Sequence, residues 1–361
     1  MLYLLYFLIS FCISLILVPL VKWVGIKQKI YDYPKGRKIH TTPTLLLGGL
    51  AIFGAFFLSL GVYLTFGHAD WSLIPKRVFA GLFAGGVILM VGGYLDDKYN
   101  LPAKILWIFP ALASLLAVAA GIGGGIKEIS NPFGPAINLD YGFSFLFIKL
   151  SLSSVFVFMW LLGMIFTTKF LDGLDGLCSG IALIGGLTMF ALSLLPHINQ
   201  PITASLSIIF CGSIFGFLLY NFHPATVFLG ESGSTFLGFV LGVLSVVLGG
   251  KIATALLVMG IPILDVAWSI TRRIWYGRSP FAADRLHLHH RLLDIGFSQR
   301  QTVGFLWFLS AFFGFTAVFL QTFGKLIALL ALFGVMVFVA LFAVIIYKRQ
   351  HPHIRDLFEK S

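Results

Sequence analysis

The chain has 361 residues, of which 58% are hydrophobic and 11% charged, with a mean hydropathy of +0.97. Soluble domains carry about 25% charged residues, so this composition excludes a soluble enzyme with a single anchor and points to a polytopic, all-α integral membrane protein. The net charge of +11 matters less than where the charges fall.

A spanning helix needs about 20 apolar residues. Eleven segments suit: about 2–21, 45–66, 78–95, 104–122, 147–166, 176–195, 202–220, 234–250, 252–271, 302–321 and 326–347. The first lacks a basic leader and a small-residue cleavage site, so it is expected to be a retained helix. Between the fourth and fifth, Ile126–Ile129 and Ala136–Leu139 flank Asn131-Pro-Phe-Gly-Pro135. Alternation around a Pro/Gly turn predicts a small external β-hairpin. Cys12, Cys178 and Cys211 are scattered and form neither a disulfide framework nor a zinc motif.

With the N-terminus outside, residues 22–44, 96–104, 167–175, 221–233, 272–301 and 348–361 are cytoplasmic. They hold nineteen of the 25 Lys and Arg. That bias predicts an N-out, C-in protein of the cell membrane. The whole chain, 1–361, reads as one domain, with a His/Arg loop at 272–301 and a basic tail at 348–361. The basic loops suit anionic lipid alone or, in addition, a phosphate-bearing substrate. Nothing suggests a nucleic-acid partner.

Ionised carboxylates are costly in a membrane and usually mark an ion, proton or substrate site. Here they gather on the predicted cytoplasmic face. Asp96 and Asp97 follow the third segment, which ends Gly92-Gly-Tyr-Leu95. They are either solvated interface residues or a pair in which one acid positions a metal while the other takes a proton or attacks phosphorus. Asp172 and Asp175, each followed by glycine, would share a face if helical. The plainer reading makes them helix caps. Glu231 lies in Gly230-Glu-Ser-Gly233, a turn whose amides suit phosphate or simply open a helix. Asn221 either binds a nucleotide or ends a helix. His287, His289 and His290 accompany Asp284 and Arg285 without zinc spacing. They suit contacts to a pyrophosphate or a titrating acid–base group. Asp265 reads as a structural partner within its span.

In combination and in order, these motifs resemble the polyprenyl-phosphate N-acetylhexosamine-1-phosphate transferases, the glycosyltransferase 4 family that includes WecA and is related to MraY. The matching residues are Arg37-Lys-Ile-His40, Gly48-Gly49, Asp96-Asp97, Asp172-Gly-Leu-Asp-Gly-Leu177, Asn221 through Ser234, and Ser279-Pro-Phe281 with Asp284-Arg-Leu-His-Leu-His-His290. The last loop looks like the WecA type rather than the MraY type. The resemblance implies transfer of N-acetylhexosamine 1-phosphate, most simply GlcNAc 1-phosphate, from a UDP-sugar to undecaprenyl or another polyprenyl phosphate. UMP would leave, in the first membrane step of a cell-envelope glycan such as O-antigen or teichoic acid.

It further implies Mg²⁺, with Mn²⁺ as a substitute, held by Asp96, Asp97 and Glu231. Asp96, Asp97, Asp172, Asp175, His287, His289 and His290 would serve catalysis. Arg37, Lys38, His40, Lys169, Asn221 and Arg285 would bind substrate. A homodimer is the family expectation.

Three motifs depart from the family pattern. Phe166 and Lys169 replace two asparagines, Glu231 replaces a metal-binding aspartate, and Leu45-Leu46 replaces Pro-Arg. Lys169 could contact the pyrophosphate while Glu231 keeps the metal, or a Lys169–Glu231 pair could replace the metal. An MraY-type transferase, a transporter and a catalytically silent relative are the competing readings.

Overall fold

The computed structural model describes residues 1–34, 42–67, 75–124, 126, 128–129, 131, 133–139, 141–145, 148–248, 251–277, 279 and 287–350. Arg37, Lys38, His40, Asp284 and Arg285 lie outside these residues, as does the tail beyond 350. The chain is a helical bundle: α1 Leu2–Gln28, α2 Gly48–Phe66, α3 Lys76–Tyr99, α4 Ala103–Leu106, α5 Ile108–Ala119, α6 Leu152–Leu171, α7 Leu177–Ser193, α8 Pro201–Asn221, α9 Gly230–Val247, α10 Ile252–Val258, α11 Gly260–Trp275, α12 Leu288–Asp294, α13 Gln299–Phe319 and α14 Thr322–Gln350. Short strands are β1 Tyr31–Asp32, β2 Thr44–Leu45, β3 Glu128–Ile129, β4 Ile137–Asn138, β5 Gly142–Phe145 and β6 Ile148–Ser151.

Among the described residues, eight helices are long and apolar enough to cross a membrane. Two departures from continuous apolar segments have local causes. The ninth expected segment breaks at Met259, and α10 and α11 meet at 81°. Gly260 and Pro262 open the second piece, where proline starts a helix well but cannot continue one. The fifth segment starts at Leu152 rather than 147, because Ile148–Ser151 pairs with Gly142–Phe145 as a hairpin. Ser151 then caps α6 by accepting the Ser154 amide at 3.1 Å. The Glu128–Ile129 and Ile137–Asn138 strands pair antiparallel around the Pro/Gly turn. The expected fourth and sixth segments appear as the shorter apolar helices 103–119 and 177–193.

The core sits on α8 and α9, each 89% buried along its apolar window, whereas α1 and α14 are 22% buried. Apolar lipid gives no hydrophobic drive for helix pairing, so small residues and interhelical hydrogen bonds must supply it. Gly212 and Gly216 let α8 press on Ser10 and Ser14 of α1, and the Ser14 hydroxyl donates to the Ser213 carbonyl at 2.7 Å. Gly238 of α9 lies against Thr168 of α6, and Gly93 of α3 against the Ser232 backbone of α9.

A short backbone ladder fixes the loops at one end of the bundle. Tyr31 and Asp32 pair with Leu45 and Thr44. The Phe228 amide donates to Leu45 O at 2.8 Å, and the Gly48 and Gly49 amides donate to Phe228 O and Leu229 O at 3.0 and 2.9 Å. The start of α9 is therefore pinned before its first side chain enters the cleft.

A Cβ at Gly93 would run into the Ser232 backbone, whereas one at Gly61 would meet nothing within 4 Å. Overpacking of this kind costs about 1–3 kcal/mol. Gly93→Ala should lower the melting temperature of the detergent-purified protein by several degrees, and Gly61→Ala should not. Equal melting curves would show that the α3–α9 approach is slack.

Candidate active site

A cleft of about 690 Å³ opens where these loops meet. Helices contribute the ends that an alternating bundle brings to one side: α1, α3, α6 and α8 arrive, and α2, α7, α9 and α13 depart. Asp32, Asp96, Asp97, Asp172, Asp175 and Glu231 line it, together with Lys169, Asn221, His223 and His290. Among the described lining residues, Lys169 is the one Lys or Arg.

Asp97 is the most constrained acid. Its Oδ1 accepts the Glu231 amide at 3.0 Å, and its buried Oδ2 has no hydrogen-bond partner. Gly230, at φ +75°, makes room for that oxygen; a Cβ there would stand 2.6 Å from it. Only glycine adopts such a backbone without cost. Asp96 accepts the Leu101 amide through Oδ1 at 2.9 Å, just past the end of α3. Lys169, in the last turn of α6, donates to Glu231 Oε1 at 2.6 Å, with side-chain exposures of 20% and 13%.

Asp172 and Asp175 do not share a helix face. Asp172 ends α6, and residues 173–176 form a turn before α7, with Gly176 at φ +74°. The paired glycines break the helix, yet the turn still delivers both carboxylates to the cleft. Asp175 Oδ2 accepts the His223 ring Nδ1 at 2.8 Å and the Ala225 amide at 3.1 Å. Asn221 ties the same turn to the next loop. Its Oδ1 accepts from the Gly176 amide and the Ser179 hydroxyl at 3.1 and 2.8 Å, and its Nδ2 donates to Val227 O at 3.1 Å. Asn221 thus spends most of its hydrogen-bonding capacity inside the protein.

The histidines divide. His290 lines the cleft; His287 and His289 do not. His289 packs on Gly173, where a Cβ would strike its ring. Burial, reinforced by His290 and His287, pushes its pKa well down, so it is neutral. His287 stacks on Phe170 and bonds Asp265 Oδ2 through Nδ1 at 2.8 Å. Asp265 Oδ1 also accepts the Leu288 amide at 2.9 Å, so Asp265 caps the start of α12. Asp32 and His223 are cleft residues that the motif reading passed over. His223 stands two residues beyond Asn221 in a loop already singled out, and that nearness was its signal.

Among the described residues, no three His, Cys, Asp or Glu side chains converge as a ready metal cage. The electrostatics are nonetheless tense. Asp172 is half-buried by surface area, but its carboxyl is packed in protein, and the loss of water pushes its pKa up to about 8. Glu231, Asp175 and Asp32 add like-charge repulsion. An unfolded aspartate ionises near pH 3.9. The native state therefore keeps a proton that the unfolded state has lost, and stability falls as pH rises from about 4 through 8. Asp172→Asn removes this penalty. Its melting temperature, without added metal, should exceed wild type by a margin that widens between pH 5 and 8. A constant margin would contradict the buried-carboxyl origin.

A model of glycosyl transferase family 4 matches residues 79–249. A relative from Bacillus subtilis, a probable undecaprenyl-phosphate N-acetylglucosaminyl 1-phosphate transferase, is 30% identical over 346 residues, covering 93% of this chain and 90% of the relative. Decaprenyl-phosphate N-acetylglucosaminephosphotransferase of Mycobacterium tuberculosis is 35% identical over 75% of this chain and 70% of its own. Undecaprenyl-phosphate alpha-N-acetylglucosaminyl 1-phosphate transferase of Escherichia coli is 26% identical over 77% and 73%. With its helical membrane bundle and its acids gathered in one cleft, this chain belongs to glycosyl transferase family 4.

Proposed function

We propose that this protein transfers GlcNAc 1-phosphate from UDP-GlcNAc to a polyprenyl phosphate, releasing UMP and forming polyprenyl diphospho-GlcNAc. The observation that carries the reading is Asp97, a residue lining the acid-rich cleft with one oxygen fixed by a backbone amide and the other buried and unpaired. Such an oxygen is poised either to take a proton from the lipid phosphate or to attack the β-phosphorus. Both routes end with the same bonds. The lipid phosphate oxygen becomes bonded to the β-phosphorus, and the bond from β-phosphorus to the bridging oxygen breaks, leaving that oxygen on UMP.

The donor set fits Mg²⁺. All the acids present hard carboxylate oxygens, and Mg²⁺ needs only one or two carboxylates when substrate phosphates and waters complete its shell. Asp96, Asp97 and Glu231 would hold it, and Mn²⁺ suits the same ligands. When bound, the metal offsets charge building on the departing UMP phosphate. Asp172, Asp175 and Asn221 shape the nucleotide end of the cleft, and His290 approaches the pyrophosphate from α12. Arg37, Lys38, His40 and Arg285 belong to the two loops nearest in sequence and would add cations for the phosphates.

Orientation follows from charge. The cleft lies at the ends of helices whose flanking segments hold most Lys and Arg, so it faces the cytoplasm, with the N-terminus outside, the C-terminus inside and the 128–138 hairpin on the outer surface. This orientation treats 103–119, 177–193 and the bent α10–α11 pair as spans, eleven in all.

UMP release from UDP-GlcNAc should require a polyprenyl phosphate and stop with EDTA. Asp97→Asn should lower the rate about 10²–10⁴-fold, the range of a lost general base, while leaving the melting temperature within a few degrees. Full activity in that variant would remove Asp97 from the chemistry.

A further inference from the structure

Lys169 holds a position the reaction needs. Its ammonium lies 2.6 Å from Glu231 Oε1, and Glu231 is one of the residues assigned above to the metal. The pair is partly enclosed, at 20% and 13% side-chain exposure, and it borders Asp96, Asp97 and Asp172 in one cleft. Six carboxylate residues and one lysine line that cleft among the described residues. An ammonium and a divalent cation sharing one carboxylate oxygen repel each other strongly where water is scarce. Lysine carries its charge as a compact point on a flexible four-carbon stem. It can therefore leave Glu231 for a stronger anion without moving α6.

We propose that Lys169 is a tethered cation that closes the metal position at Glu231 until an anionic diphosphate enters the cleft. The inference rests on the donor assignment above and deepens it. In the empty cleft Lys169 neutralises Glu231, which would otherwise be an unpaired carboxylate at the packed start of α9. A nucleoside diphosphate group brings two phosphates and draws the ammonium away. Glu231 is then released to the divalent cation, while Lys169 binds a phosphate oxygen. Metal and donor each raise the affinity of the other, because each removes what blocks it. The two roles that the sequence leaves as alternatives for Lys169 become two states of one side chain.

The test is Mn²⁺ binding by electron paramagnetic resonance, on full-length protein in detergent with no lipid acceptor. In wild type, saturating UDP should tighten Mn²⁺ binding about tenfold or more, within the usual range of coupling between sites. Lys169→Gln, without nucleotide, should bind Mn²⁺ about tenfold more tightly than wild type, and its coupling to UDP should fall towards one. Lys169→Arg should keep most of the coupling. The Lys169→Gln/Glu231→Gln double variant leaves neither charge unpaired, and it should lose the gain in Mn²⁺ affinity. Equal Mn²⁺ affinity and equal coupling in wild type and Lys169→Gln would make the pair a fixed structural contact and overturn the proposal. If wild type binds no uridine nucleotide, the donor assignment fails, and the coupling proposed here fails with it. Intact UDP binding with unaltered Mn²⁺ behaviour in Lys169→Gln overturns only the role of Lys169.

Discussion

The hydrogen bond from the Glu231 amide to Asp97 ties the end of α3 to the start of α9, and the cleft is arranged around it. A carboxylate at a helix C-terminus is poorly placed, because the helix dipole there is negative. The first turn of α9 supplies the missing donor. That donor can reach Asp97 only because Gly93 and Gly230 clear the space. The same turn carries the Glu231 side chain to Lys169. One backbone contact therefore sets the positions of two acids and, through the ion pair, of the single lysine among the described lining residues.

Building such a site in a membrane protein requires the polar groups to satisfy one another. Asp175 is held by His223 and the Ala225 amide, Asn221 by two donors and one acceptor, and Asp265 by His287 and the Leu288 amide. Apart from the local Asn221–Val227 bond, these contacts join segments well separated in sequence, and each buried polar group so paired avoids a desolvation cost of about 1–3 kcal/mol. Two acids of the cleft are less fully satisfied. Asp97 keeps an unpaired oxygen, and Asp172 holds its proton to unusually high pH because burial strips its water and Glu231, Asp175 and Asp32 repel its charge.

Much of this was legible in the sequence. Apolar length marked the helices, and the gathering of acids on one predicted face marked Asp96, Asp97, Asp172, Asp175 and Glu231 as one site. The conformation between Asp172 and Asp175 was not legible, because spacing of three suits both a helix face and a glycine turn. The bend at Met259 was hidden for a similar reason: apolar composition is continuous across it, and Pro262 is tolerated in the first turn of a new helix. The separation of His287 and His289 from His290 depends on Asp265 and Gly173, which lie elsewhere in the sequence. Sequence adjacency in the His loop thus overstated how many of its histidines reach the cleft.

The central claim is that a sugar phosphate, rather than a sugar alone, moves from nucleotide to lipid. It is tested most directly by giving the protein UDP-GlcNAc labelled separately in the α- and β-phosphates, with polyprenyl phosphate and Mg²⁺, and following each label. The account predicts that the β-phosphorus enters the lipid fraction with the sugar while the α-phosphorus leaves as UMP. Release of UDP carrying both labels, or recovery of intact UDP-GlcNAc on the far side of a vesicle, would contradict it.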